Sequence, residues 1–274
     1  STNGVGAFGG AINIATNEIN EKAYTEINSS YGSFNTWKNT VKFGSGIINK
    51  HFTFDGRLSK ISSDGYIDRA STDLQSFYTS SAYVDANKSF RLNVFSGKEK
   101  TYQAWNGVAE SMLGINRTYN SCGTDKPGTP YDNQTDNYLQ THYQFFYNQK
   151  VNSNWNLSAA TFLVKGKGYW EEYKAEEALG DYNLPDYTVG NTTISKTDLI
   201  RRLWPVNTFY GGIFSVNHQK KNTELTIGGG YNQNDANHYG EVIWAQVPVT
   251  PGYKWYDLTA YKKDFSLYGK WTEK

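Results

Sequence analysis

The sequence predicts an all-β chain that forms part of an antiparallel, up-and-down transmembrane β-barrel. Three observations carry this: residues alternate apolar and polar along about ten segments, short and long connections alternate between them, and aromatics gather near the segment ends. The composition agrees. Tyr (22 residues), Gly (26) and Trp (8) are abundant in 274 residues, whereas Met and Cys occur once each, which favours strand over helix. No stretch reaches the ~18 consecutive apolar residues that a membrane helix needs, and this excludes helical spans only. A negative mean hydropathy is compatible with membrane strands, because one polar face cancels one apolar face.

The segments read in order as YTEINSSYG, WKNTVKFG, HFTFDGRLSK, QSFYTSSAYV, SFRLNVFSG, YLQTHYQFFYN, NWNLSAATFLV, FYGGIFSVNH, ELTIGGGY and DFSLYGKW. In the third, Phe52, Phe54, Gly56 and Leu58 share a face opposite Thr53, Asp55, Arg57 and Ser59. Phe90, Leu92 and Val94 likewise oppose Arg91 and Asn93, and Leu139, Thr141, Tyr143, Phe145 and Tyr147 oppose Gln140, His142 and Gln144. Leu225, Ile227, Gly229 and Tyr231, then Phe265, Leu267 and Gly269, continue the pattern. Most segments are about 9–12 residues long, which suits a tilted strand crossing a bilayer.

SGIINK, DANKS, QKVNSN and QKKNT are short, polar and turn-like, while SSDGYIDRASTD and the tracts 102–136, 168–207 and 232–253 are long. A membrane barrel predicts tight turns at one end and long loops at the other; a soluble β-sandwich has no reason to sort them. Trp37, Trp155, Trp271, Tyr31, Tyr147 and Tyr231 fall near expected strand termini, as interfacial girdles do. One stretch, YWEEYKAEEALGDY, has the propensity of a short loop helix, with Gly180 as its C-cap.

The chemistry-bearing residues do not form a catalytic set. No GxSxG, HExxH or CxxC spacing occurs, so no enzyme and no cofactor is expected. Cys122 is a lone loop thiol with no disulfide partner. His238 and Glu241 are too few for a structural metal site. The formal charge of +1 supplies no electrostatic case for nucleic acid. The long loops do concentrate aromatic and charged side chains: Tyr102, Trp105 and Arg117; Tyr169, Trp170, Arg201 and Trp204; His238, Glu241 and Trp244. Such clusters suit planar or anionic small molecules and metal chelates through stacking, cation–π and charge-assisted contacts.

The N-terminal NGVGAFGGAINIATN is a Gly-rich turn running into a short alternating strand. It lacks the spacing and following helix of a phosphate loop. Its Gly6, Gly9, Gly10, Asn13, Ile14 and Thr16 resemble the end of the plug domain in TonB-dependent outer-membrane receptors, and RLSKISSDGYIDRAS resembles an early barrel strand and loop of that family. The resemblance implies that residues 1–18 close the plug and link it to the barrel, and that 19–274 form the first part of that barrel, which in such transporters has about 22 strands. It also implies a bacterial outer-membrane location among lipid, energy coupling to the TonB complex through residues upstream, and active import of a scarce ligand. A ferric siderophore, haem or cobalamin is favoured over a glycan. A passive pore or structural outer-membrane barrel is the alternative, and a soluble carbohydrate-binding β-sandwich the more distant one. Alone, these residues are expected to form an open, twisted sheet with two exposed edges.

Overall fold

A computed structural model describes residues 19–273; the segment carrying Gly6, Gly9, Gly10, Asn13, Ile14 and Thr16 lies outside the described residues. Ten strands make one antiparallel sheet in sequential order: β1 (Ala23–Gly32), β2 (Thr36–Ser45), β3 (Phe52–Ser63), β4 (Thr72–Val84), β5 (Lys88–Tyr102), β6 (Thr135–Lys150), β7 (Trp155–Ala178), β10 (Lys196–Lys220), β11 (Thr223–Ala245) and β12 (Tyr253–Glu273). A separate small hairpin, β8 (Tyr187–Val189) with β9 (Thr192–Ile194), sits in the β7–β10 connection. Each strand pairs with its sequence neighbour, and β1 and β12 remain the edges, so the sheet is open.

The connections sort by end. Residues 46–51, 85–87, 151–154 and 221–222 turn tightly at one end, and 64–71, 103–134, 179–195 and 246–252 lie at the other. The β1–β2 link at this second end is also tight, with Phe34 and Asn35 at φ 59° and 51° in the left-handed region.

Directly paired residues in an antiparallel ladder point to the same side. One register row therefore puts Phe52, Tyr83, Phe90, Tyr147, Ala159, Phe214, Gly229 and Leu267 on one face. Another row joins Ile27, Val41, Leu58 and Phe77 on that face. Many of these side chains are exposed, Ile27 at 73% and Leu267 at 65%. The alternation read from the sequence is thus real, and its apolar halves join into one continuous belt.

The belt runs diagonally across the register. Leu58 and Phe77 are apolar, yet the same row continues through Ser96 and Thr141 to Lys165, Thr208 and Asp235. Ladder hydrogen bonds run perpendicular to the strands, so a belt that slides along them indicates tilted strands, as barrel closure requires.

The opposite face is polar. The Tyr24 phenol crosses over Gly44 to reach Asp55 Oδ1 at 3.1 Å, two strands away. The Tyr138 phenol crosses Gly166 to Asn207 Oδ1 at 3.5 Å in the same way. A Cβ at Gly44 or Gly166 would lie within about 2 Å of the tyrosine atoms, so a side chain at either position would have to push the crossing phenol aside.

Three expectations are corrected. The later strands are far longer than 9–12 residues: β7 has 24 residues, β10 25, β11 23 and β12 21. Much of the tracts 168–207 and 232–253 is therefore ladder and not loop, and Tyr231 lies inside β11, not at its terminus. The helix expected at YWEEYKAEEALGDY is the end of β7 followed by a 3-10 turn, Leu179–Tyr182. Cross-strand pairing overrides its helix propensity, because Glu171 and Glu172 stand opposite Arg202 and Arg201.

Candidate functional site

The long β7, β10, β11 and β12 carry the sheet beyond the apolar belt at the long-loop end. Here charged and aromatic side chains replace aliphatic ones. Alternation distributes them over two faces, which the loop-by-loop reading of the sequence could not separate.

On the inner face, Trp170 pairs with Leu203, and Arg201 pairs with Glu172. Arg201 Nη2 lies 2.6 Å from Glu172 Oε1, and its Nη1 donates to the Tyr182 hydroxyl at 2.8 Å. Tyr182 in turn donates to Glu177 at 2.7 Å; burial first, then this carboxylate, raise its phenol above the ordinary range. Trp105, 59% exposed, meets Trp170 edge-on at 5.6 Å between centroids. His238 is exposed on this same face, opposite Pro205, and Arg117 is exposed on the 103–134 loop. Deeper on the inner face, a polar groove of about 800 Å³ is lined by His142, Gln144, Phe209, Asn234, Lys262 and Asp264.

On the outward face, Tyr169, Trp204, Tyr239 and their cations form a ladder. Arg202 lies over Tyr169 (4.3 Å), Lys167 over Trp204 (5.2 Å) and Lys254 over Tyr239 (3.9 Å). Tyr169 contacts Trp204 at 4.6 Å, and Trp204 stacks on Tyr239 at 5.6 Å. Trp204 Nε1 donates to Glu241 at 3.0 Å, and Trp244 packs on Tyr173. His238 and Glu241 thus project from opposite faces and cannot share an ion; among the described residues no cluster of three metal-ligating side chains exists.

Tyr102 has a different place from the one expected. It is 6% exposed, and its hydroxyl donates to the Tyr131 carbonyl at 2.5 Å while accepting from Arg69 Nε at 3.2 Å. Arg69 Nη2 also caps the carbonyls of Asn120 and Cys122 at 2.6 and 2.9 Å, so Tyr102 and Arg69 pin the 103–134 loop. A second pin is Glu171. Only 2% exposed, it accepts from Arg202 Nε (2.7 Å), the Tyr131 hydroxyl (2.6 Å) and Asn133 Nδ2 (2.5 Å). Burial, and then that carboxylate, push the Tyr131 phenol well above its usual value.

Sequence reasoning named Arg201 but missed Glu171, Glu172, Tyr131 and Arg69. Paired EE and RR dipeptides are visible in the sequence. Their opposition is visible only once the β7–β10 register is known.

The fold has solved counterparts. The chain is similar to the ferric citrate transporter FecA in its unliganded form, with a TM-score of 0.68 and 14% identity over 99% of this chain and 40% of that one. It is similar to FpvAI from the FpvAI–pyocin S2 complex, with a TM-score of 0.65 and 8% identity over 93% of this chain and 34% of that one. It is also similar to BauA, the ferric preacinetobactin receptor of Acinetobacter baumannii, with a TM-score of 0.61 and 9% identity over 93% of this chain and 39% of that one. No family model and no curated protein matches the sequence. The chain therefore has the fold of the barrel portion of TonB-dependent receptors, and it spans 34–40% of the length of these three.

Proposed function

We propose that this chain is part of a TonB-dependent receptor of the bacterial outer membrane that imports a ferric siderophore. The observation that carries the reading is the two-faced sheet: a continuous apolar belt on one face, a polar opposite face, and extended hairpins at one end only. That is how a barrel must be built if lipid surrounds it and an aqueous passage runs through it. The similarity of the fold to ferric citrate and ferric preacinetobactin receptors supports an iron chelate over haem or cobalamin as the cargo.

In this reading the ligand meets the inner-face residues Trp170, Arg201 and His238 first, together with Trp105 and Arg117 of the 103–134 loop. Aromatic rings and guanidinium groups suit an anionic, partly planar chelate. Arg201 is already neutralised by Glu172, so it would serve as a rigid hydrogen-bonding wall more than a free charge. The outward residues Tyr169, Trp204, Glu241 and Trp244, together with buried Tyr102, support the hairpins that present this surface. Residues 1–18 would join the barrel to the plug, and TonB would act on that plug. Nothing in the arrangement calls for bond-breaking chemistry by the chain.

The test is uptake of ⁵⁵Fe-labelled siderophores by iron-starved cells, with and without an intact gene and with TonB present or deleted. Gene- and TonB-dependent uptake is expected. TonB-independent permeation of small solutes would instead identify a passive pore.

A further inference from the structure

Beside Trp170 the inner face carries acceptors without donors. Asp136 of β6 stands opposite Thr101 on one side and Trp170 on the other. Glu99 of β5 stands opposite Tyr138, so the two carboxylates are diagonal neighbours on one face, with Cβ atoms about 7–8 Å apart. Both are half-buried, and no described Lys, Arg or His lies within salt-bridge distance of either. Gln134, the inner-face residue before Asp136 on the same chain segment, is 8% exposed, and its Oε1 is buried without a hydrogen-bond partner. The backbones of Gln103 and Gln134 are bonded at 3.0 Å, yet Gln103 does not satisfy that oxygen, because its Nε2 turns to the Glu171 carbonyl at 3.4 Å.

The nearby cations are committed elsewhere or distant. Arg201 is held by Glu172 and Arg202 by Glu171. Arg57, on the inner face, shares a row with Tyr78 and Phe95, four residues and about 13 Å along the strand from Glu99. Uncompensated carboxylates and an orphaned buried oxygen are costly unless a donor-bearing cation meets them. A hard metal ion needs a full shell of oxygens, and among the described residues no cluster of three metal-ligating side chains exists. An organic ammonium needs less, and gains from the rings of Trp170 and Tyr138 that flank the two carboxylates. There is room for it. A Cβ at Gly97, the inner-face residue next to Glu99, would meet nothing within 4 Å, and Glu99 and Tyr138 border a cavity of about 590 Å³.

We propose that Glu99, Asp136 and Gln134 bind two protonated amines joined by a short aliphatic chain. One ammonium is held by Glu99 beside Tyr138; the other is held by Asp136 and the Gln134 Oε1 beside Trp170. In the cargo this is a cationic arm attached to the chelate, an assignment that rests on the import reading above. The diagonal offset of the carboxylates selects a diamine over a single amine, since one ammonium cannot neutralise both.

The experiment is isothermal titration calorimetry on the full-length protein in detergent at neutral pH, with putrescine, butylamine and calcium ions as probes. Wild type is compared with E99Q/D136N and with E26Q, whose carboxylate lies on β1 and is already paired with Lys42 at 3.2 Å. Putrescine should bind wild type at least about tenfold more tightly than butylamine, and E99Q/D136N should lose about tenfold or more of that affinity, the scale of a charge-assisted hydrogen bond. E26Q should match wild type. Equal putrescine affinity in wild type and E99Q/D136N, or equal affinity of wild type for putrescine and butylamine, would overturn the proposal. So would calcium that binds more tightly than putrescine and is lost in the double variant, which would make this a metal site. Circular dichroism checks the folding of each variant; if the double variant does not fold, D136N alone carries the comparison, with a loss of about threefold or more expected. TonB-dependent ⁵⁵Fe uptake, measured separately, keeps the two readings apart. Uptake without diamine binding refutes only this site, whereas diamine binding without uptake refutes the import reading and leaves the site.

Discussion

Replacing Arg202 by Met tests whether the buried Glu171 holds the 103–134 loop. In the native protein three donors converge on this carboxylate: Arg202, Tyr131 and Asn133. Glu171 is 2% exposed, so removing its cation leaves a buried charge with only two neutral donors. Breaking a buried pair from one side costs ~3–5 kcal/mol. Arg202 is 29% exposed and partly screened, which places the cost near the bottom of that range or below, at ~2–3 kcal/mol. At tenfold per ~1.4 kcal/mol, the opening equilibrium of the loop should rise roughly 30- to 150-fold. Amide hydrogen exchange resolved to peptides is the assay. Peptides from 103–134 should exchange faster by that factor, while peptides from β1–β3 stay unchanged. Loop exchange within about threefold of wild type would refute the claim that this ion pair anchors the loop. A uniform rise over the whole chain would refute it equally, since it would mean that Arg202 acts on the sheet and not on the loop.

The pH response of the same loop has a definite sign. Tyr131 has a raised folded-state pKa, from burial and the Glu171 carboxylate, so its contribution is fully present below the ordinary tyrosine value of 10.0 and is lost as pH climbs above it. Proteolytic nicking of 103–134 should accelerate above about pH 10, and Y131F should abolish that dependence. Gly168→Ala should destabilise the barrel more than Gly166→Ala, as urea unfolding would report. A Cβ at 168 would fall 2.2 Å from the Asn137 backbone oxygen, which cannot move aside, whereas at 166 the nearest atom is the swinging Tyr138 hydroxyl at 2.1 Å. Leu267→Arg should cost ~2–4 kcal/mol of stability in bilayers, and Ser266→Arg much less, because only residue 267 faces outward with the belt. Similar losses at both positions would contradict the assigned faces.

The sequence by itself determined the strand number, the faces and the sorting of loops. Those follow from period-two alternation and turn chemistry, which are local: whether Phe90, Leu92 and Val94 share a side depends only on the pleat. Strand length was not local. The glutamate-rich end of β7 reads as helix in isolation, and becomes strand because Arg201 and Arg202 stand across from it. The candidate site divided in the same way. Aromatic and arginine clusters were visible along the loops, but which of them face inward depends on how far each hairpin stays in register. Trp170 and Arg201 therefore share a surface with Trp105, while their chain neighbours Tyr169 and Arg202 turn outward. Tyr138 and Asn207 are the clearest case: they are 69 residues apart in the chain, and the phenol reaches the amide only because β7 lies between their strands, in a register that tertiary pairing alone decides.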